Sequence, residues 1–275
     1  MTASLATAAR PAPPVRPGTA PLTAPPPSGG TPVRFLRAGA RVAELSSAVV
    51  STLLQVRKVR REPSEEVRLR ARMQLFREGA RRVLRIHGVE VDAGGAEVPV
   101  QAVLVSNHVS WLDPFVVAAH VPCVPVSKAD VLSWPVLGPL ARDLGVVFVS
   151  RGDAGSGASA LRSVRAALDA GACVLNFPEG TTSEGEDVLP FRPGMFGLAL
   201  RSGAPIVPVA LRYAPRSLAW TGDATFVPHY LSLAGSRGAR VSLRVGEPLA
   251  ATANRSPREV AAEARERVAA LLRDI

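Results

Sequence analysis

The sequence predicts an α/β domain with a single mixed central sheet flanked by helices, preceded by an amphipathic N-terminal helical hairpin. Three observations lead to this prediction. The chain opens with a Pro/Ala-rich stretch, continues with a basic segment whose apolar residues recur every three or four positions, and then alternates short apolar runs with helical stretches. These features define a tail over residues 1–33, basic membrane-associating helices over 34–85, and an α/β domain over 86–275.

The tail over residues 1–33 is dominated by Ala, Pro, Thr and Gly and contains no acidic residue. Such a segment buries little apolar surface and is predicted to be disordered. It also lacks the continuous apolar stretch of a secretory signal.

The basic segment is predicted to form two amphipathic helices. The first has an apolar stripe made of Val42, Leu45, Val49, Leu53 and Val56. The second begins at Pro63-Ser64-Glu65-Glu66, a typical helix start, and its stripe contains Leu69, Met73, Phe76, Ala80 and Val83. The apolar stretch of the first helix is about 15 residues long, whereas a membrane-spanning helix needs roughly 20. It is expected to lie in the membrane interface, and spanning stays the alternative.

The net charge of +10 is concentrated in these helices, because residues 34–85 hold 14 Arg/Lys against five Glu. An anionic membrane surface is the expected partner, since each Lys or Arg near such a surface contributes on the order of 1 kcal/mol. The simpler alternative is a hairpin packed on the domain. No nucleic acid is expected, because Phe76 falls on the apolar stripe rather than in a position to stack on bases. The predicted location is the cytoplasmic face of the plasma membrane, with peripheral or monotopic attachment.

Beyond residue 85, short apolar runs predict the strands of the sheet. They are Arg85–Val91, Ala102–Ser106, Cys123–Val126, Val146–Val149, Cys173–Phe177, Ile206–Leu211 and Val241–Val245. Helices are predicted over Pro114–His120, Gly157–Ala170, Pro193–Arg201 and Pro257–Arg273.

The chain has two cysteines, Cys123 and Cys173, and both lie inside apolar runs. They are predicted to be buried free thiols in a reducing compartment. With no cluster of Cys and His, neither a disulfide framework nor a metal site is expected.

The first candidate site follows the strand Ala102–Ser106, at a carboxyl end where open α/β sheets bind ligands. His108 and Asp113 are five residues apart, which is about 140° around a straight helix. They can meet only if the segment turns, and Pro114 favours a turn with Asp113 as cap of the next helix. In the functional interpretation Asp113 orients His108, which acts as a general base. In the alternative interpretation Asp113 only caps a helix and His108 is a loop residue.

The second candidate site follows the strand Cys173–Phe177. Glu179, Gly180 and Thr181 offer hydrogen-bonding partners for a polyol or a phosphate, although an ordinary glycine-containing turn has the same composition. Lys128 and Arg151 each close a strand on the same predicted edge, and Arg192 precedes a helix. Cations at one edge indicate an anion site, whereas single ones are usually solvated.

Four segments in this order, NHVSWLD, GVVFVSR, FPEGTTS and IVPVAL, resemble the blocks of the glycerolipid acyltransferase family, which includes lysophosphatidic acid acyltransferases. The resemblance covers roughly residues 85–250. It implies that His108 is the catalytic base and Asp113 its orienting partner. It also implies substrate-binding roles for Arg151, Glu179, Gly180, Thr181, Lys128, Arg192 and Pro208.

The resemblance implies a reaction in which a fatty acyl group moves from acyl-CoA or acyl-carrier protein to the free hydroxyl of a lysolipid. The default acceptor is 1-acyl-glycerol-3-phosphate. The family often has an acid where this chain has Ser150, and Trp220, Phe226 and Tyr230 lie in a segment reminiscent of lyso-ornithine lipid acyltransferases. No cofactor is expected. The rival interpretations are a thioesterase-like hydrolase and a non-catalytic basic membrane-binding module.

Overall fold

The computed structural model describes residues 31–150, 154–222, 224–252 and 254–275. Most of the predicted tail therefore lies outside the described residues, and its last three residues belong to the first helix. The helices are α1 Thr31–Val59, α2 Glu65–His87, α3 Asp113–His120, α4 Leu137–Asp143, α5 Ala154–Asp169, α6 Gly194–Ser202, α7 Phe226–Gly235 and α8 Pro257–Arg273. The strands are β1 Val89–Gly95, β2 Val103–Ser106, β3 Cys123–Lys128, β4 Val147–Val149, β5 Cys173–Asn176, β6 Ile206–Ala214 and β7 Ala239–Val245.

The strands form one sheet in the order β1-β7-β6-β2-β5-β3-β4. Strand β2 lies between β5 and β6 and runs parallel to both, and β3 and β4 continue the parallel part. Strand β7 is antiparallel to β6. The predicted mixed sheet is thus confirmed. Because β2, β5 and β3 are parallel neighbours, the loops that follow them meet at one edge of the sheet.

Helices cover both faces of the sheet. On one face, Leu104 and Val207 pack with Phe76 of α2 and Val117 of α3. On the other, Val103 packs with residues of α5, α6 and α8. Because each face is buried, the central strands are apolar along their whole length rather than alternating, as expected for strands covered on both sides.

The second helix of the predicted hairpin starts as expected, since Ser64 caps α2 and accepts a hydrogen bond from the amide of Val67. The strand predicted over Arg85–Val91 is wrong in its first part. Helix α2 continues to His87, and Gly88 ends it with a left-handed backbone at φ +65°. Helices α4 and α7 were not predicted from the sequence.

Both cysteines are free and buried, as predicted. Burial raises the pKa of the Cys173 thiol to about 11. Cys123 is also buried, and its pKa is raised for the same reason. Neither thiol is therefore ionised near neutral pH, which fits a structural role in the core.

Candidate active site

The loop between β2 and α3 is fixed by the elements beside it. The buried side chain of Asn107 donates from Nδ2 to the carbonyl of Leu211 in β6 at 2.9 Å, and the Leu211 amide donates to Oδ1 of Asn107 at 2.9 Å. The amide of Ser183 donates to the carbonyl of His108 at 2.8 Å. The backbone that carries His108 is thus held to β6 and to the loop after β5.

Asp113 is fully buried and its carboxylate turns back over this loop. Its Oδ2 accepts hydrogen bonds from the amides of Val109 at 2.7 Å and Ser110 at 3.0 Å. The prediction that Asp113 caps the next helix is wrong: α3 begins at Asp113 itself, after Leu112. The carboxylate satisfies the amides of the preceding turn instead, which places it next to His108.

The imidazole of His108 lies against this carboxylate, with Nδ1 at 2.7 Å from Oδ2 of Asp113. The predicted turn between the two residues is confirmed. An ionised carboxylate only accepts hydrogen bonds, so Nδ1 carries the proton and the neutral ring presents Nε2 as a base. The ring of His108 stacks on Phe177 with centroids 4.2 Å apart, and 22% of its side chain is exposed. The ring is therefore held between Asp113 and Phe177 and remains partly exposed.

Tyr213 is a site residue that the sequence analysis missed. Its hydroxyl donates to Oδ1 of Asp113 at 2.6 Å. Burial and the charge of Asp113 raise the pKa of the phenol well above its usual value, so it stays protonated. The feature of the sequence that could have identified Tyr213 is the alternation of side chains between the two faces of β6. Tyr213 lies two residues beyond Leu211, on the face that packs over α3.

Glu179 is buried in the loop after β5. Burial raises its pKa from 4.5 to about 7. The amide of Leu189 donates to Oε1 at 3.2 Å and has the opposite, smaller effect, because it favours the charged form. The next residue, Gly180, has φ +72°, and a Cβ there would lie 2.8 Å from Nε of Arg192. The structure therefore brings Arg192 against Gly180.

The structure places the other predicted site residues in different environments. Lys128 is exposed at the end of β3, and Thr181 is exposed beside Gly180. Pro208 is buried in β6, and it packs against Gly246, where an added Cβ would lie 2.9 Å from Cγ of Pro208. This is the sheet face covered by α8, away from His108, so a role of Pro208 in substrate binding stays a prediction. Arg151 lies outside the described residues.

An apolar cavity of about 260 Å³ adjoins the loop of the histidine–aspartate pair. It lies between the N-terminal hairpin and the edge of the sheet, and Trp111 and Pro114, on either side of Asp113 in the chain, belong to its wall. Opposite them are residues of α1 and α2, including Ala48 and Phe76. A cavity with such walls suits an apolar ligand.

Aromatic side chains close one end of this cavity. Trp134 stacks obliquely on Phe226 with centroids 4.6 Å apart, and Trp220 and Trp111 contact Phe226 edge-on. Trp220, Phe226 and Tyr230, noted in the sequence for a resemblance, all line the cavity. Asp223 of the same segment lies outside the described residues.

The apolar stripe of α1 faces the protein rather than a membrane. Leu45 and Val49 line the cavity and Val56 is buried. The hairpin packs on α3 and α7, as the simpler interpretation required. The apolar side chains of the helix that point outward are Val42, at the N-terminal end of the predicted stripe, and five outside it, namely Val33, Phe35, Leu36, Val50 and Leu54.

Many cations of the hairpin also hold the fold together. Arg37 and Arg41 donate to the last carbonyls of α7, and Arg77 and Arg81 donate to those of α3. These contacts match the favourable placement of cations at helix C-termini. Within the described part of the chain, other cations of the segment are exposed and their side chains make no hydrogen bond or ion pair, namely Arg34, Arg57, Lys58, Arg61, Arg82 and Arg85. No helix among the described residues is long and apolar enough to cross a membrane.

The arrangement of these groups defines a class of protein. A histidine oriented by a buried aspartate, at the carboxyl end of a central strand, activates an oxygen or sulfur nucleophile. Among the described residues, no serine or cysteine side chain donates to the ring of His108.

Comparison with known proteins points to the same class. A family model described as "Acyltransferase" matches residues 90–212. A 1-acyl-sn-glycerol-3-phosphate acyltransferase of Neisseria gonorrhoeae is 38% identical over 52% of this chain and 54% of its own length. A lyso-ornithine lipid O-acyltransferase of Brucella abortus is 34% identical over 62% of this chain and 70% of its own.

A solved structure shares the fold. The 1-acyl-sn-glycerophosphate acyltransferase from Thermotoga maritima superposes with a TM-score of 0.69 at 19% identity, over 88% of this chain and 95% of that one. The chain spans about half the length of the Neisseria relative, 54%. This chain belongs to the acyltransferase family.

Proposed function

We propose that this protein transfers a fatty acyl group from an acyl thioester, acyl-CoA or acyl-carrier protein, to the free hydroxyl of a lysolipid at an anionic membrane surface. The observation that carries the proposal is the contact of 2.7 Å between Nδ1 of His108 and Oδ2 of Asp113 beside an apolar cavity. A base next to a chain-binding cavity suits a substrate that carries both a hydroxyl and an acyl chain.

The reaction follows from the tautomer of His108. Nε2 takes the hydroxyl proton as the oxygen attacks the thioester carbonyl, the new C–O bond forms, and the C–S bond breaks. The imidazolium is stabilised by Asp113 and then returns the proton to the leaving thiolate. Exclusion of water by the apolar walls favours transfer over hydrolysis.

The proposed acceptor is 1-acyl-glycerol-3-phosphate, which the Neisseria relative is named for. Arg192 lies against Gly180 at the same sheet edge as His108 and is exposed, so it suits a phosphate. We assign Lys128, Arg151, Glu179 and Thr181 to the same acceptor site, as the family resemblance implies.

One observation favours lyso-ornithine lipid as a second candidate acceptor. A cavity of about 350 Å³ beside Val109 is lined by two acids, Glu184 and Glu186, and by two cations, Arg212 and Arg216. A head group with both an ammonium and a carboxylate, as in ornithine, finds charges of both signs there. The Brucella relative is named for this acceptor.

A panel of lysolipids incubated with labelled acyl-CoA or acyl-carrier protein tests the proposal and selects the acceptor. Phosphatidic acid as the product supports the first acceptor, and an acylated ornithine lipid supports the second. Thioester consumption without a lipid product would indicate a hydrolase. Salt-dependent vesicle binding without turnover would indicate a non-catalytic membrane module.

Attachment to the membrane is assigned to the outward face of α1, together with Val227 and Leu231 of α7, which are exposed next to it. Exposed cations of the same segment supply attraction to anionic lipid, each on the order of 1 kcal/mol. The expected location is the cytoplasmic face of the plasma membrane, where anionic lipids are abundant.

Vesicle sedimentation tests this assignment with a matched pair of variants. Leu36 is 75% exposed on α1, and Val100 is 72% exposed in the loop between β1 and β2. Leu36→Glu is expected to weaken binding to vesicles with anionic lipid roughly fivefold or more. Val100→Glu is expected to leave it unchanged. Equal losses in both variants would contradict the role of α1.

A further inference from the structure

The carboxylate of Asp113 is held on both oxygens. Oδ2 accepts from His108 and from the amides of Val109 and Ser110. Among the described residues, the one donor to Oδ1 is the Tyr213 hydroxyl, at 2.6 Å. Both Asp113 and Tyr213 are buried, at 0% and 5% exposed. Without the phenol, Oδ1 would lose this donor in a buried environment.

We propose that Tyr213 is a positioning residue for acyl transfer, and this inference rests on the proposed function of the His108–Asp113 pair. The phenol fixes the rotation of the Asp113 carboxylate, so that Oδ2 alone faces Nδ1 of His108. It acts through Asp113 and does not touch the reacting atoms.

Strand β6 holds the site from two sides. Asn107 ties the beginning of the loop to Leu211 of β6, and Tyr213, two residues further along that strand, ties its end. The relative position of His108 and Asp113 is therefore set by one rigid strand. A short, charge-assisted hydrogen bond of this kind resists rotation more than a neutral one does.

The electrostatic effect of Tyr213 also favours the productive arrangement of His108 and Asp113. A hydrogen bond to an ionised carboxylate stabilises its charged form, and that charge is what keeps His108 in the productive tautomer.

The variant Tyr213→Phe removes the hydroxyl and keeps the ring. We expect kcat at neutral pH to fall on the order of tenfold with KM little changed, since the acceptor and donor contacts are intact. The matched control is Val268→Ala, which is buried in a separate cluster behind β6 and destabilises the fold without contacting the pair.

A role in folding alone would lower the melting temperature of both variants and lower kcat of both to a similar extent, which would overturn the proposal. A measurement that does not require turnover tests the positioning role of Tyr213 independently of the proposed function. In protein with ¹⁵N-labelled histidine, assigned with His108→Ala, the Nδ1–H resonance of His108 is expected to exchange with solvent at least several-fold faster in Tyr213→Phe. Unchanged exchange would refute the positioning role, and absence of acyl transfer by the wild type would refute only the proposed function.

Discussion

Glu179 gives the protein a pH-dependent stability of predictable sign. In the folded protein its pKa is about 7, against 4.5 for an ordinary glutamate. Between these values the folded chain binds a proton that the unfolded chain releases, so stability falls as the pH rises from about 4.5 and stops falling above about 7. Over this pH range the free energy of unfolding falls by about 3 kcal/mol, at about 1.4 kcal/mol per pH unit.

The variant Glu179→Gln isolates this effect, because glutamine resembles the protonated acid and its carbonyl can still accept from the Leu189 amide. At pH 5 the variant and the wild type are expected to melt within a degree or two of each other. At pH 8 the variant is expected to melt roughly 6 to 12 °C higher, from about 2 to 4 °C per kcal/mol for a domain of this size. All other titratable groups are the same in both proteins.

Melting curves followed by circular dichroism between pH 5 and 8 provide the measurement. If the two melting temperatures stay parallel across this range, Glu179 titrates as an exposed carboxylate does and the buried placement is wrong. Should the variant be the less stable protein at pH 8, the sign of the electrostatic argument fails.

Further predictions concern the pair and the cavity. Asp113→Asn is expected to lower kcat by roughly 10³-fold or more, because an amide no longer fixes the tautomer of His108; a circular dichroism spectrum that matches the wild type would exclude unfolding. Gly79 lines the cavity with no atom within 4 Å of an added Cβ, so Gly79→Leu should stabilise α2 by about 1 kcal/mol while it obstructs the cavity. Transfer from long-chain thioesters should then fall at least about tenfold relative to short-chain ones. The matched control is Gly157→Leu in α5, where an added Cβ also meets nothing within 4 Å; an equal loss in this control would contradict a role of the cavity in chain binding.

Local patterns predicted most of the fold. The apolar runs marked the central strands because strands buried on both faces have no polar positions. The boundary at Gly88 was missed because the apolar residues of α2 continue without a break into those of β1, and only the left-handed glycine separates them. Helix α7 was missed because it is short and almost uniformly apolar, which leaves no amphipathic period.

The residues of the candidate site also differ in whether the sequence could identify them. His108 and Asp113 were found because they are close in sequence and follow a strand. Tyr213 was not, because its contact with Asp113 joins residues 100 positions apart. The inward stripe of α1 was assigned to lipid because an apolar stripe alone does not say whether protein or membrane covers it; the packing against α2 and α7 answers this.

In the structure, some cations of the hairpin have a role that the sequence did not predict. The sequence gives a surplus of cations, and a surplus next to apolar residues indicates a membrane surface. In the fold, Arg37, Arg41, Arg77 and Arg81 bind carbonyls at the ends of two helices. The hairpin is therefore both a wall of the apolar cavity and a basic surface.

The most direct test of the account is single-turnover transfer of a labelled acyl group to 1-acyl-glycerol-3-phosphate and to lyso-ornithine lipid by the wild type and by His108→Ala. The account predicts an acylated lipid from the wild type with one of these acceptors, and a rate lower by roughly 10³-fold or more in the variant. Vesicle binding and melting temperature should stay unchanged. Substantial transfer by a folded, membrane-bound His108→Ala would contradict the assignment of the base.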